Sequence, residues 1–411
     1  MASPGPDARA DASLSALILR PDDADPGAVR IGGLPLVVRQ ARLLAEAGAE
    51  AVAATGPADA EILRLRFPRT ATPEAALQAP RVLLLDGGWL IDQRLLRALA
   101  DGAADGLVLA PGEAAGGDRC VALVTGRTAV ADAPLRTAAD LRAVAGRLGP
   151  DPRRLTTASI PAYVASARRD TPVRVQRVRS AANAAPIERR LLSDAQRAVL
   201  DWPARFLHPP VEKTLVRLLW PTPISPNQVS LATLVLGLAG AFAFWRGAFW
   251  PAMAIALLVG VLDGVDGKLA RTRLQVTPVG ELEHAADKIV EYAWYIALAA
   301  GLVRLGYPPK TLVLGLVASA AMAVDVWIGG AAQTTLGRQL EDCGGFERGF
   351  RLIGGRRNTH IWMLLGFGLF GAWRDGLVAI AISAQATALI RLWRLGLRAR
   401  EAGRDLFARA R

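Results

Sequence analysis

Four carboxylates sit where an apolar segment gives way to a polar one. Residues 262–271 read Leu-Asp-Gly-Val-Asp-Gly-Lys-Leu-Ala-Arg, and after eight intervening residues Gly280 opens the run Glu281-Leu282-Glu283-His284-Ala285-Ala286-Asp287. On a helix, Asp263, Asp266, Gly267 and Ala270 share one face by the i, i+3, i+4, i+7 rule. Glu283 and Asp287 lie one turn apart on the next helix. Two facing helices can therefore aim Asp263, Asp266, Glu283 and Asp287 into one pocket. Carboxylates at the end of an apolar span are costly, so a functional reading is the default. Hard oxygen donors gathered this way suit Mg2+ or Mn2+. Gly267 leaves room for a ligand against the helix backbone, and Arg271 offers a charge-assisted fork to a phosphate. The competing reading is a polar helix end with incidental acids.

These residues need a scaffold, and the chain supplies a membrane. Of 411 residues, 52% are hydrophobic, and the excess is concentrated after residue 228. Six candidate spans follow, at about 229–246, 250–268, 287–305, 310–330, 359–373 and 375–396, several near the ~20 residues a bilayer requires. The formal net charge is +12. Much of it lies in Arg-rich runs at 168–190, 348–357 and 391–411, beside apolar segments. That placement favours a cytoplasmic, lipid-facing role. The aromatic-studded basic modules of RNA binders are not evident, so nucleic acid is not an expected partner. An even number of spans returns the C-terminus to the side of the N-terminus. No signal-peptide pattern opens the chain, so both termini are expected in the cytoplasm. Cys120 and Cys343 share no metal-ligand spacing and predict no disulfide.

Ahead of the spans, residues 14–165 predict a soluble α/β domain after a disordered tail, 1–13. Short apolar runs at Ala16–Leu19, Ala51–Ala54, Val82–Leu85, Gly106–Leu109 and Cys120–Val124 read as strands, with helices such as Leu36–Ala47 and Ile91–Leu99 between them. Alternation of this kind implies a mostly parallel sheet. Residues 166–192 read as a basic linker. Residues 193–228 read as an interfacial segment interrupted by Pro209-Pro210. The all-α membrane domain is expected over 229–397, with a basic tail at 398–411.

The acidic run resembles the signature of the CDP-alcohol phosphatidyltransferase family, Asp-x2-Asp-Gly-x2-Ala-Arg-x8-Gly-x3-Asp-x3-Asp. Asp263, Asp266, Gly267, Ala270, Arg271 and Gly280 match its first six fixed positions. Strict spacing then puts His284 and Lys288 where the family has aspartates. A one-residue deletion restores register, with Glu283 as third acid and Asp287 as fourth, and leaves His284 as a candidate to hydrogen-bond and orient a metal ligand. The resemblance implies metal-dependent displacement at the donor's β-phosphorus with CMP leaving, CDP-alcohol contacts from the six matched residues, and Asp287 as general base. It also suggests a homodimer in the bilayer. Pro223-Ile224-Ser225-Pro226-Asn227-Gln228-Val229 resembles the stretch opening the family's first span, where Asn227 either lines the site or sits near a helix N-cap. Arg356 and Arg357 precede the fifth span and could bind an acceptor phosphate or simply anchor topology. Asp325, inside the fourth span, is expected to line the site.

Upstream, Ile31-Gly32-Gly33-Leu34-Pro35-Leu36 and Val82-Leu83-Leu84-Leu85-Asp86-Gly87-Gly88 resemble a sugar-phosphate nucleotidyltransferase. The pair of domains is similar to bifunctional enzymes that make CDP-inositol and then di-inositol phosphate. Leu19–Gly27 stands in place of the Gly-rich triphosphate loop, and Asp86-Gly87-Gly88 in place of Asp-Gly-Asp. The domain is therefore expected to be a degenerate, Rossmann-like fold kept without its reaction. The acceptor is left as inositol phosphate, another polyol phosphate or a simple polyol. A CDP-diacylglycerol-dependent phospholipid synthase and a non-catalytic membrane scaffold remain alternatives.

Overall fold

A computed structural model describes residues 13–22, 26–102, 105–110, 118–131, 133–148, 151–164, 168–275 and 280–403, without the side chains of 280–284. The chain divides into two compact units. The first runs to Ala165 and includes Arg169–Asp194; the second contains Ala195–Arg271 and Gln275–Arg411.

The first unit is built on a six-stranded sheet. Its strands are β1 (Leu14–Leu19), β2 (Ala51–Ala54), β3 (Arg81–Asp86), β4 (Gly106–Ala110), β5 (Arg119–Gly126) and β6 (Arg153–Leu155), in the order β2-β1-β3-β5-β4-β6. Every residue of β1 and β3 is buried, as expected of unbroken apolar runs covered on both faces. All five expected strands are present. The sheet is mixed, however. β1 runs parallel to β2 and β3, and β4 runs parallel to β6, whereas β5 is antiparallel to both its neighbours. Only eight residues separate Ala110 from Arg119, fewer than the dozen or so a parallel crossover needs, so the chain must reverse there. Helix α1 (Leu36–Glu46) packs its apolar face on this sheet. Helix α2 (Gln93–Ala100) begins where Asp92 Oδ1 accepts from the Arg94 backbone N–H at 3.0 Å, an ordinary N-cap.

The basic stretch expected to be a linker is structured. Val175–Arg177 pairs antiparallel with Trp89–Ile91. Helix α3 (Ala181–Asp194) buries Ala184 and Ile187 against Ile31, Leu36 and Val178. A few apolar residues at helical spacing secure it, too few to stand out among so many arginines.

The second unit is helical: α4 (His208–Leu219), α5 (Pro226–Trp245), α6 (Phe249–Arg273), α7 (Gly280–Arg304), α8 (Thr311–Leu336), α9 (Gly345–Ile353), α10 (Arg357–Gly368) and α11 (Trp373–Glu401). Among the described residues, α5, α6, α8 and α11 are long and apolar enough to cross a membrane. Six spans were expected. Of the other two, α7 has 25 residues but carries polar side chains along its first half, and α10 has 12, only about 18 Å of helix. The exposed large residues Leu231, Val235, Leu238 and Phe242 on α5 suit a lipid-facing surface. Its buried side is lined by small residues, and a Cβ on Gly237 would come within 2.7 Å of Val290. That close approach lets Trp294 Nε1 donate to the Gly237 carbonyl at 2.7 Å. Helix α5 is capped by Ser225, whose Oγ accepts from the Gln228 N–H while Gln228 Oε1 accepts from the Ser225 N–H. Asn227 lies inside the first turn and is not the cap.

Candidate active site

The C-terminal half of α6 carries Asp263, Asp266, Gly267, Lys268, Ala270 and Arg271; α7 carries Asp287. Helix α10 opens with Arg357, whose guanidinium lies 2.7 Å from Asp263 Oδ2 and 3.2 Å from Asp287 Oδ1. Two aspartates from different helices thus meet around one cation. Asp266 turns towards α5, where the Ser230 hydroxyl donates to its Oδ2 at 2.9 Å. Arg271 Nε donates to the Ala195 carbonyl at 2.9 Å, which holds the guanidinium beside the motif. A Cβ on Gly267 would stand 3.1 Å from Arg271 Nη1, so a larger residue would crowd that guanidinium. The side chains of Gly280, Glu283 and His284 fall outside the described residues.

Among the described residues no group of three or more acids, cysteines or histidines is close enough to hold a metal ion. The donors nevertheless fit one in kind. Asp263 and Asp287 are hard oxygen ligands already gathered about a positive charge, with the Arg357 guanidinium as the stand-in.

Lys268, in the middle of the motif, is buried and paired with Glu212 of α4, which is also buried. A Cβ on Gly264 would fall 2.0 Å from Glu212 Oε1, so the glycine makes room for this carboxylate. Burial raises the proton affinity of Glu212, with Lys268 pulling the other way. His208 Nδ1 lies 4.0 Å from Glu212, and burial lowers the pKa of its imidazole. On the inner side of α7, Lys288 reaches Glu291 at 2.8 Å and Tyr295 donates to Glu291 at 2.9 Å. The Tyr295 hydroxyl also lies 2.8 Å from His360 Nδ1. With its one proton on Glu291, the hydroxyl must accept from Nδ1–H.

Asp325 and Arg356 join a different cluster. Asp325 Oδ1 lies 2.7 Å from Arg391 Nε, and its Oδ2 lies 3.1 Å from Arg356 Nη1. Glu341 Oε1 lies 2.6 Å from Arg391 Nη1, 3.3 Å from Arg356 Nη2 and 3.8 Å from Arg351 Nη1. Burial pushes the Glu341 carboxyl up, but Arg391, Arg351 and Arg356 outweigh it and hold it at about 2. Glu212, Ser230, Glu291 and Glu341 were not anticipated. A carboxylate in mid-helix, as at Glu291, was the one local signal available.

In the first unit, Asp86 is buried, accepts from the Gly88 N–H at 2.9 Å and lies 3.6 Å from Arg119. Asp22 takes Arg119 at 3.1 Å, Arg142, and the backbone N–H of Ala139 at 2.9 Å.

Four long apolar helices, one of which, α6, carries motif carboxylates while α7 after it carries Asp287, suit a membrane-embedded domain. Residues 223–344 match the CDP-alcohol phosphatidyltransferase family model, so the C-terminal region carries a domain of that family, whose members are transferases. A bifunctional IPC transferase and DIPP synthase of Aquifex aeolicus is 27% identical over 173 residues, covering 41% of this chain and 38% of that protein. Its namesake in Rubrobacter xylanophilus is 32% identical over 179 residues, covering 42% and 37%. The chain thus spans less than two fifths of the length of these curated relatives. A Mycobacterium tuberculosis phosphatidylinositol phosphate synthase solved with CDP-DAG bound is 19% identical, with a TM-score of 0.37, over 45% of this chain and 92% of that one.

Proposed function

We propose that this chain transfers a phospho-alcohol group from a CDP-alcohol to a second alcohol and releases CMP. The supporting observation is the convergence of Asp263 and Asp287, from separate helices, on one cation position within the family-matched region. Asp263, Asp266, Glu283 and Asp287 would hold Mg2+ or Mn2+, which when bound neutralises the donor pyrophosphate and the departing CMP. Asp287 accepts the acceptor's hydroxyl proton. The freed oxygen forms a bond to the β-phosphorus as the bond to CMP breaks, and CMP leaves with the electron pair. Arg271, held through its Nε, presents its remaining N–H groups to the donor phosphates. Arg357 balances Asp263 and Asp287 before substrate arrives.

The test is CMP release by purified protein from a donor panel that includes CDP-diacylglycerol and soluble CDP-polyols. Release should require Mg2+ or Mn2+ and stop on chelation; no release from any donor would overturn the proposal. In the same assay Glu283→Ala should lose far more activity than His284→Ala. The reverse ranking would restore the strict family spacing.

The N-terminal unit is proposed to keep a nucleotidyltransferase-like fold without its reaction. Asp22 occupies Arg119 and Arg142, two cations otherwise open to a phosphate, and Asp86 is engaged by Gly88 and Arg119. The full chain should release no pyrophosphate from CTP and inositol phosphate. Release that depends on Asp86 would refute this reading.

A further inference from the structure

We propose that Glu341 fills an anion seat beside the reacting carboxylates, and that the acceptor of the transfer proposed above is therefore an alcohol carrying no phosphate at that seat. The inference rests on the transferase reading for its word acceptor; the filled seat stands on geometry. Three guanidinium groups converge on Glu341 Oε1, from Arg391 at 2.6 Å, Arg356 at 3.3 Å and Arg351 at 3.8 Å. That arrangement of forked donors is what a phosphate oxygen receives in a built site. Glu341 is only 3% exposed, so its carboxylate is part of the interior. Asp325 engages the same two arginines from their other side, Arg391 at 2.7 Å and Arg356 at 3.1 Å.

The seat adjoins the chemistry. Arg356 is the residue before Arg357, which pairs with Asp263 and Asp287. At the N-cap position Arg356 is extended, with φ −133° and ψ 159°, and its side chain departs towards Glu341 while Arg357 starts the helix and faces the motif. An acceptor phosphate at Arg356 would thus sit one residue from Arg357, the cation paired with the proposed base. To enter, it would have to displace a charged carboxylate already bound to the same donors, and any carboxylate remaining nearby would repel it. Without the Glu341 carboxylate, the nitrogens of Arg391, Arg356 and Arg351 that face it would be open to a phosphate, with Asp325 still holding the other nitrogens of the first two.

The experiment uses the purified full chain in detergent with inorganic phosphate as probe, at constant ionic strength. The unfolding midpoint of the unaltered protein should not respond to phosphate. Glu341→Gln keeps the side chain's size, removes its charge, and should gain a saturable rise on the order of a few degrees. With acceptors, the same variant should shift its preference towards a phosphorylated polyol over the unphosphorylated one by at least tenfold. Saturable stabilisation of the unaltered protein by phosphate would overturn the proposal, as would a folded Glu341→Gln variant that gains none. If that variant does not fold, the unaltered protein decides alone, indifference to phosphate supporting the filled seat. Because the binding arm needs no turnover, failure of the transferase reading would appear separately, as absent CMP release with the phosphate response intact.

Discussion

Asp266→Asn is expected to bring CMP release to background while the protein stays folded. The substitution removes a negative charge and little else. The Asn side-chain oxygen can still accept from Ser230, now 2.9 Å from Asp266 Oδ2, so the contact between α5 and α6 survives. The structural cost is then bounded by the net worth of one hydrogen bond, about 0.5–1.5 kcal/mol. The chemical cost is larger. A neutral amide oxygen is a poorer ligand for a hard divalent ion, and that ion is proposed to stabilise the charge developing on CMP. Removing even one donor aimed at such charge slows reactions by about 10²–10³-fold. CMP release and thermal unfolding, measured on the same preparation, separate the two effects. Full activity with metal present would remove Asp266 from the metal set.

Where the sequence was legible, the signal was local. Val82–Leu85 is an unbroken apolar run and lies within β3. The direction of β5 was legible only in the eight-residue connection ahead of it, because a strand's own apolar pattern is the same in either direction. Asp263, Asp266 and Asp287 stand out through spacing and an apolar context. Arg356 and Arg357 look alike in sequence, yet one is the extended cap of α10 and the other its first helical residue, and they part into separate ion clusters. Glu212 lies 56 residues from Lys268, and Glu341 lies 50 from Arg391. Pairings at that range leave no periodic trace. Glu341 also falls between α8 and α9 beside Asp342, where a pair of acids reads as a solvated loop.

The second large effect is expected at one of those long-range pairs. Glu212→Ala should destabilise the membrane domain by about 3–5 kcal/mol, the usual cost of leaving one member of a buried ion pair without its partner. Both members qualify: Glu212 is 2% exposed and Lys268 is 3%. Lys268 sits between Asp266 and Arg271, so the stranded ammonium would disturb the segment that carries the motif, and CMP release should fall with stability. The pair need not be ionic for the fold to stand. An apolar pair of similar volume, Glu212→Leu with Lys268→Met, removes both desolvation penalties and often proves neutral or stabilising. The double variant should therefore unfold at or near the midpoint of the unaltered protein, while Glu212→Ala unfolds well below it. A coupling of this size between residues in contact is what a double-mutant cycle resolves. Gly264→Ala supplies an independent approach to the same contact. Its new Cβ would fall 2.0 Å from Glu212 Oε1, so the carboxylate must swing away from Lys268 and the variant should destabilise with both charges still present. Thermal unfolding in detergent reads all three variants. If Glu212→Ala stays within about 1 kcal/mol of the unaltered protein, a typical single-substitution effect, then α4 does not hold the motif helix through this pair, and Gly264 would need another reason to lack a side chain.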